Sequence, residues 1–484
     1  MKKVICSLCL FAVIGAGVFF GIQFFTKTGI FKIPGVVYYD ESLSEEETNK
    51  LKTIFTEDVV LDKDVTISSY NTLNRPEIKE NEYIYNIYVP VVDFYSSETN
   101  VAVENVDELF NNCAECSYKL IDIDDLDFKQ KLLSINDKYY LDDFDTGAVF
   151  HVVKFESEKF DEEIKPLVNE AFAREYPTKD KVLTFAQTGV TAMSRGMNQK
   201  LYEIGDATFF AANIKDYLSS FDITHTSNES SFSDFANARN ICSDGRFINT
   251  LTAIGLDVVE LTGNHNVDCG IDSANNTIDI YNNNGIKIVG GGKNATEAAV
   301  PLNLSEKNTN ITMLAYNQST GGATTGDYPG ANQYYEENAS SEIFAAKARG
   351  DFVIVDIQYY ECSFYVSDEE ETFCDFAGSS AGDQIGFFRH LIDLGADVVV
   401  GTSAHQPQTY ELYGNGAIYY GLGNLFFDQV WWPGTTRSLI LSHYFYNGKL
   451  LQTQVVPTVY DANMQTRVME NPGWFLERLK SERP

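Results

Sequence analysis

The sequence is poor in positive charge. It contains 36 lysine and arginine residues against 69 aspartate and glutamate residues, a formal net charge of −33 over 484 residues. Such a surface would repel a phosphate backbone, so nucleic acid is not expected as a partner. Charge alone would not attract the chain to an anionic membrane or polymer either. The acidity is typical of a solvated surface, which can collect divalent cations weakly.

Several sequence patterns are also absent. No Walker motif is present, so the glycines at 290–292 indicate a tight turn rather than a nucleotide site. There is no internal repeat and no low-complexity segment. Hydrophobic residues make up 44% and charged residues 22%, which is the balance of a globular protein. A chain of this length is expected to form more than one domain.

Cysteine is scarce outside the N-terminal segment. An even number of cysteines in an exported chain allows disulfides, and Cys362 and Cys374, which bracket a loop, are the expected pair. Cys113 and Cys116 have CxxC spacing, but no second CxxC lies beyond the N-terminal segment. A local disulfide or free thiols are therefore favoured over a redox or zinc site. The remaining cysteines beyond residue 28 are Cys242 and Cys269.

An uncharged run predicts a membrane anchor. Lys2 and Lys3 precede residues 4–25, a run of 22 residues that is long enough to cross a bilayer core of about 30 Å as a helix. Because the basic residues come first, the short N-terminal tail is expected in the cytoplasm and the bulk of the chain outside. A cleaved signal peptide is the alternative, although its apolar core is normally shorter. Residues 1–28 are therefore predicted to be a single-pass anchor.

Two domains are expected after the anchor. Residues 29–177 alternate strand-like and helix-like runs and show no ligand cluster, which predicts a small acidic α/β domain. In residues 178–484, apolar β-rich runs alternate with amphipathic stretches, which predicts a larger α/β domain with helices covering its sheets. The late runs 438–446 and 449–459 are typical of an antiparallel hairpin, so the sheet is expected to be mixed.

The most informative motif is Gly263-Asn264-His265. It directly follows the β-forming run 256–261, and the turn after a strand lies at the edge of an α/β sheet where sites are built. Asn264 offers an amide oxygen and His265 an imidazole, both usable as ligands for a divalent metal. Gly263 allows the backbone to pass close to a neighbouring group. A polar turn with a solvated histidine is the alternative interpretation.

An ordered set of motifs resembles the CapA family of poly-γ-glutamate capsule biosynthesis proteins. The motifs are Ser227–Glu229, Gly263–Gly270, Ile288–Asn294 with Glu297 and Pro301, and Tyr420–Asp428. The resemblance covers about residues 182–460. It implies a metallophosphoesterase-like fold, a sandwich of two mixed β-sheets covered by helices. It also implies a role in the synthesis, export or anchoring of a surface polymer at the outer face of the membrane.

The same resemblance implies a site. Glu229, Asn264 and His405 are the expected metal ligands, for manganese, zinc or magnesium. Glu229 and Asn264 are also expected to be catalytic together with His265, which would protonate a leaving group. Arg195 is expected to hold a carboxylate or phosphate, with a structural ion pair as the alternative. The expected substrate-binding residues are Arg195, Gln358, Glu361, Gln406 and Asn424.

The sequence departs from the family pattern at three positions. Val190 stands where the family has the aspartate of Gly-Asp, Gln358 where it often has histidine, and Ser403 replaces the first imidazole of Gly-x-His-x-His. These losses should weaken a dinuclear metal site severely. A single metal, substrate binding without metal, and substitution by other residues stay open as alternatives. The substituting candidates are Asp222, His225, Asp268 and Glu361.

Two functions are compatible with these patterns. One is a metal-assisted hydrolase or transferase of surface-polymer biosynthesis, and the other is a non-catalytic polymer-binding scaffold that has lost its metal ligands. A nucleotidase is disfavoured because Val190 is not aspartate and no second histidine lies beside His405. The expected partners are an anionic polymer or its precursor, the membrane, and capsule-synthesis membrane proteins. Local cations for such a polymer would come from Arg195, Lys293 and Arg437.

Overall fold

A computed structural model gives the fold of most of the chain. The residues it describes are 35–56, 59, 61–111, 117–172, 174–318, 321–359, 383–431 and 434–484. The predicted anchor, residues 4–25, lies outside this part, as do the predicted disulfide Cys362–Cys374 and the CxxC motif of Cys113 and Cys116. Within the described ranges, no helix is long and apolar enough to cross a membrane.

The chain divides into two compact units. The first comprises the described residues up to Pro90, with Asn100–Asp125 and Ser134–Tyr176, and the second comprises Val91–Thr99, Leu126–Leu133 and Pro177–Pro484. The last junction, between residues 176 and 177, lies one residue before the junction expected from the sequence. The two short earlier stretches group with the second unit because they bond to it. The Leu132 N–H donates to Gln452 Oε1, and Tyr95 Oη accepts from the Leu412 N–H.

The first part of the chain forms a mixed sheet in the order β1-β2-β8-β3-β5, with β6 beside β3. Leu51 and Val168, on α1 and α4, pack against Ile67 and Phe155 of the sheet, so these helices cover one of its faces. The elements are β1 (Val37–Tyr39), α1 (Glu45–Ile54), β2 (Val65–Thr72), β3 (Glu82–Asp93), β4 (Asn100–Val101), α2 (Val106–Asn111), β5 (Lys119–Asp122), β6 (Gln130–Leu132), β7 (Ser134–Ile135), α3 (Tyr140–Asp143), β8 (Val149–Glu156) and α4 (Lys165–Ala171).

The chain from residue 177 onward is longer and also alternates strands and helices. Its strands are β9 (Leu183–Thr191), β10 (Ile223–Asn228), β11 (Val258–Glu260), β12 (Lys287–Val289), β13 (Gly291–Gly292), β14 (Leu302–Glu306), β15 (Thr309–Asn317), β16 (Ala323–Thr324), β17 (Gly330–Asn332), β18 (Phe352–Gln358), β19 (Val398–Thr402), β20 (Tyr410–Tyr413), β21 (Gly416–Tyr419), β22 (Asn424–Phe426), β23 (Arg437–Tyr446), β24 (Lys449–Tyr460) and β25 (Thr466–Val468). Its helices are α5 (Gly196–Ile204), α6 (Lys215–Leu218), α7 (Ile248–Ala253), α8 (Ile271–Asn283), α9 (Ala295–Ala298), α10 (Glu336–Arg349), α11 (Gln384–Asp393) and α12 (Gly473–Ser481).

Two large sheets organise this second unit. The first sheet has the order β12-β11-β10-β9-β23-β24-β25, with β22 beside β9, and the second has the order β14-β15-β18-β19-β21-β20. Strands β9 to β12 are parallel, whereas β23 and β24 form the antiparallel hairpin predicted from the sequence. In the second sheet β15, β18, β19 and β21 are parallel and both edge strands are antiparallel. Both sheets are therefore mixed, as expected.

The apolar core lies between these two sheets. Phe185 and Ile223 from the first sheet share one buried cluster with Met313 and Ile354 from the second. Separate clusters bury α5, α7 and α8 against the other face of the first sheet, and α10 and α11 against the other face of the second. Strands covered on both faces lose the apolar–polar alternation, which explains runs such as that of β18. This mixed α/β architecture is consistent with a phosphoesterase-like fold.

Candidate functional site

Polar residues from both sheets meet where parallel strands end. Glu229 directly follows β10, Asn264 follows β11, and Gln358 is the last residue of β18. His405 lies in the loop after β19, and Asn424 begins β22. Since the carboxyl ends of parallel strands share one edge of a sheet, the topology collects the first four residues. Asn424 joins them because β22 starts beside Val190, near the carboxyl end of β9. We call these five residues the edge cluster.

The close approach of Asn264 to Glu229 depends on Gly263. A Cβ atom at residue 263 would lie 2.6 Å from Glu229 Cα and 2.9 Å from Glu229 Cγ, which no real side chain tolerates. The turn after Gly263 is closed locally by Asn266, whose Nδ2 donates to the Leu261 carbonyl at 2.8 Å. The sequence expectation that Gly263 permits a close backbone approach agrees with this geometry.

Gln358 joins the two sheets within the edge cluster. Its Nε2 lies 3.3 Å from Glu229 Oε1 and 3.1 Å from Asn264 Oδ1, and donates to both oxygens. Its Oε1 accepts from Thr402 Oγ1 at 3.2 Å. Glu229 and Gln358 are both completely buried, so these hydrogen bonds are made away from bulk water.

His405 completes the edge cluster. Its Nδ1 lies 2.9 Å from Asn424 Oδ1, and its Nε2 lies 3.7 Å from Glu229 Oε2. The ring is buried, with its centroid 5.3 Å from that of Phe427. The loop carrying it contains Ser403, a buried non-glycine residue with φ of 80° whose Oγ has no hydrogen-bond partner among the described residues.

His265 lies at the border of the edge cluster. Its side chain is 26% exposed, and its Nδ1 is 2.6 Å from Asp268 Oδ2. Next to Asp268, Cys269 forms a disulfide with Cys242 and so ties this loop to the chain that follows β10. The spacing of the cysteines in the sequence gave no reason to choose this pair, and it was not predicted.

Arg195 forms an ion pair instead of facing the edge cluster as a free cation. Its Nη2 lies 2.5 Å from Asp428 Oδ1, and its guanidinium carbon lies 4.7 Å from the centre of the Phe427 ring. The structure therefore agrees with the structural alternative for Arg195. Lys293 similarly pairs with Asp279.

The other predicted substrate-binding residues differ in their surroundings. Gln406 is buried, and its Oε1 has no hydrogen-bond partner among the described residues. Glu361 lies outside the described residues. Arg437 is 9% exposed, and its guanidinium carbon is 5.0 Å from the centre of the Trp474 ring.

The arrangement does not fit a divalent metal between the predicted ligands. The N–H group of Gln358 faces both Glu229 Oε1 and Asn264 Oδ1, and an amide nitrogen is not a metal ligand. Val190, in place of the family's aspartate, packs in an apolar cluster with Ala192 and Phe427. Within the described part of the chain, no group of three or more His, Cys, Asp or Glu residues could hold a metal ion.

Of the proposed substitutes for missing ligands, the three that lie among the described residues, Asp222, Asp268 and His225, have other partners than the edge cluster. Asp222 precedes β10, at the strand end opposite Glu229, and pairs with Lys307 at 2.8 Å. Asp268 partners His265. His225 is buried within β10, and its Nε2 lies 3.2 Å from Asp356 Oδ2.

His225 belongs to a buried polar row between the two sheets. We call His443, Gln187, Asp356 and His225 the interior row. His443 Nε2 is 3.3 Å from Gln187 Oε1, and Gln187 Nε2 donates to Asp356 Oδ1 at 2.5 Å. Burial, and secondarily the neighbouring His225, lower the pKa of His443 to about 3, so its imidazole is neutral. Of the interior row, only His225 was identified as a candidate from the sequence. The other members could have been suspected because they are polar residues within apolar strand runs.

Glu260, at the end of β11, is a further buried carboxyl on this side of the site. Burial is the main cause that raises its pKa to about 8, and the nearby Asp356 and Glu229 add to the shift. The Thr262 N–H and hydroxyl both donate to Glu260 Oε1. A carboxyl with such a pKa is largely protonated at neutral pH.

Comparison with known proteins places this geometry in a family. The model of the family described as bacterial capsule synthesis protein PGA_cap matches residues 184–429. The capsule biosynthesis protein CapA of Bacillus anthracis is 25% identical over 209 residues, 42% of this chain and 47% of that protein. The PGA biosynthesis protein CapA of Bacillus subtilis is 26% identical over 204 residues, 42% of this chain and 50% of that protein.

The match to the family model includes the whole edge cluster. The chain spans about half the length of the curated relatives it matches. A solved structure, the NAD nucleotidase of Haemophilus influenzae, aligns with 62% of this chain and 55% of its own at 10% identity, with a TM-score of 0.32. Since the family model covers just over half of the chain, from β9 to beyond β22, this protein belongs to the PGA_cap family of bacterial capsule synthesis proteins.

Proposed function

We propose that this chain is a membrane-anchored, extracytoplasmic protein for the synthesis, export or anchoring of an anionic surface polymer of the poly-γ-glutamate type. In this proposal the edge cluster binds the polymer or its precursor, residues 4–25 hold the chain in the membrane, and capsule-synthesis membrane proteins are its partners. The observation that carries the proposal is the family match over residues 184–429, which contains every residue of the edge cluster.

Two features support the proposed location. The disulfide between Cys242 and Cys269 is typical of chains that mature in an oxidising compartment. The uncharged run 4–25, preceded by Lys2 and Lys3, has the length and flanking charge of an anchor that leaves the bulk of the chain outside the cytoplasm.

The chemistry of the edge cluster favours recognition by hydrogen bonds. Arg195 and Lys293 are engaged by Asp428 and Asp279, so the expected cationic contacts are already balanced by carboxylates. Gln358, Asn264 and His405 instead supply amide and imidazole groups, which suit the peptide-like amides of a polyglutamate chain as well as its carboxylates.

A hydrolase or transferase is the second candidate. The observation that favours it is the pairing of His265 with Asp268 directly after Asn264 of the edge cluster, an arrangement that can orient an imidazole for proton transfer. The replacements at Val190, Gln358 and Ser403 favour the polymer-binding role, because each removes a charged or imidazole group from the family pattern.

Complementation of a deletion strain tests the proposal. Glu229→Gln and His405→Ala, expressed at wild-type levels, should abolish surface polymer measured as acid-released glutamate. His265→Ala should do the same if the hydrolase or transferase candidate holds, and should retain polymer if the cluster only binds. Asp222→Asn, a carboxylate change at the opposite end of the same strand, is the matched control and should support normal polymer levels.

Binding of the purified full-length chain to poly-γ-glutamate tests recognition of the polymer separately from polymer production in cells. The wild type and Asp222→Asn should retain the polymer on a column, and Glu229→Gln should not. Full polymer production by folded Glu229→Gln and His405→Ala strains would show that the edge cluster is not the functional site.

A further inference from the structure

The amide nitrogen of Gln358 lies between the two oxygens that were expected to bind a metal. This Nε2 atom is 3.3 Å from Glu229 Oε1 and 3.1 Å from Asn264 Oδ1, so one nitrogen contacts both oxygen ligands expected for a metal. An amide nitrogen carries two hydrogens and offers one to each oxygen. The two oxygens are thus held together by hydrogen bonds within the protein.

The two acceptor oxygens determine the orientation of this amide. Glu229 Oε1 and Asn264 Oδ1 both require the N–H end, which leaves Gln358 Oε1 to accept from Thr402 Oγ1 at 3.2 Å, on the side of β19. The opposite orientation would bring three oxygens together, from Gln358, Glu229 and Asn264. Three such partial negative charges would repel one another in a buried site unless a cation lay between them.

The surrounding positions agree with this arrangement. Val190 packs with Ala192 and Phe427, so an apolar cluster occupies the place of a carboxylate ligand in the family pattern. Ser403 replaces an imidazole, and its Oγ makes no hydrogen bond within the described part of the chain. The residues at positions 190, 358 and 403 therefore all replace a potential metal ligand of the family pattern.

We propose that the amide nitrogen of Gln358 takes the place of a divalent cation between Glu229 and Asn264, so that this site binds its ligand without metal. A neutral amide orders the two oxygens through two hydrogen bonds and adds no charge to the site. The edge cluster consequently presents one carboxyl group among neutral amide groups and an imidazole, and its ligand binding does not depend on metal supply.

Metal titration of variants tests this inference directly. The full-length chain, purified in detergent and freed of metal by a chelator, is titrated calorimetrically with manganese, zinc and magnesium chlorides. The wild type should show no saturable binding that Glu229→Gln removes. Gln358→Glu replaces the donor by a third oxygen and adds a charge, so it should gain a manganese site with affinity at least about tenfold above the weak background of the acidic surface.

Two further variants make the result unambiguous. Gln358→His, which restores the residue frequent in the family, should gain zinc binding and is measured in case Gln358→Glu does not fold. Adding Asn264→Ala to either variant should remove the gained site. Stoichiometric metal in the wild type that Glu229→Gln abolishes would overturn the inference, as would the absence of any gain in both folded variants. Neither readout depends on polymer production, so this inference and the proposed function fail separately.

Discussion

Asn424 fixes the tautomer of His405. The Nδ2 of Asn424 donates to Gln429 Oε1 at 3.0 Å and to the Thr435 carbonyl at 3.1 Å, which directs its Oδ1 toward the imidazole. At 2.9 Å from this acceptor, His405 Nδ1 must carry the hydrogen. The other ring nitrogen, Nε2, then faces Glu229 with its lone pair when the ring is neutral.

Replacing Asn424 with leucine should change the tautomer equilibrium of His405. Because the leucine offers no acceptor, the Nδ1-protonated form of His405 should lose its preference, and removal of the buried hydrogen bonds should cost about 1–3 kcal/mol of unfolding free energy. Long-range ¹H–¹⁵N spectra of the six imidazoles report the tautomer. Asn424→Asp keeps an acceptor and serves as the control. A wild-type His405 protonated at Nε2 would contradict the assignment.

Replacing Gly263 with alanine should disturb the edge cluster through sterics alone. The new methyl group would lie 2.6 Å from Glu229 Cα, and overpacking of this kind costs about 1–3 kcal/mol. Urea unfolding measures the loss. Gly245→Ala is the matched control, because a Cβ there meets no atom within 4 Å and should leave the midpoint unchanged. Equal stability of both variants would mean that the loop at residue 263 accommodates the methyl group without any loss of unfolding free energy.

The location of the site was predictable because it depends on local patterns. A strand followed by Gly263-Asn264-His265 indicates a sheet edge, and the same argument applies to Glu229, Gln358 and His405. Partners in three dimensions were not predictable from one sequence. Asp428, which pairs with Arg195, lies 233 residues further along the chain. The order of the strands, and hence which loops meet, is fixed by tertiary packing rather than by local sequence.

The contacts of the interior row between the two sheets could not be predicted from the sequence either. Strand runs around residues 187, 225, 356 and 443 are recognisable by their β-forming residues. Their polar side chains, however, can bond only after two separate sheets have packed together. No spacing rule connects residues that face one another across such an interface, so the interior row and the pKa of Glu260 required the structure.

Glu260 should make the stability of the fold depend on pH. Its folded-state pKa of about 8 lies above the ordinary 4.5, so the folded chain keeps a proton that the unfolded chain releases. The free energy of unfolding should therefore fall as pH rises between these values. Glu260→Gln lacks this proton and should gain about 2 kcal/mol on the wild type between pH 6.5 and 8.

Chemical denaturation at several pH values measures this gain. Glu306→Gln, a change of an exposed carboxyl on β14, is the control and should keep the wild-type pH dependence. His443, whose folded-state pKa is about 3, is present in both chains, so its contribution cancels when their pH curves are compared. Parallel pH curves for the wild type and Glu260→Gln would refute the assignment.

The disulfide should hold the loop of His265 and Asp268 in place. Cys242 and Cys269 are 27 residues apart in sequence, and closing a loop of that length typically contributes about 3 kcal/mol. The Cys242→Ser, Cys269→Ser double variant should lose roughly this amount in urea unfolding. Peptide mapping under non-reducing conditions checks the bond itself, and also tests the predicted Cys362–Cys374 pair. An intact wild type without a Cys242–Cys269 peptide would contradict the structure.

The interior row has a mechanical consequence for the edge cluster. The interdigitated side chains of the two sheets already resist sliding. A hydrogen bond such as that from Gln187 to Asp356 adds a directional restraint, because it breaks after a shift of about an ångström. Glu229 and Asn264 come from one sheet, and Gln358 and His405 come from the other. The interior row therefore restrains the position of one sheet relative to the other. The distances between edge-cluster residues from the two sheets depend on this buried restraint.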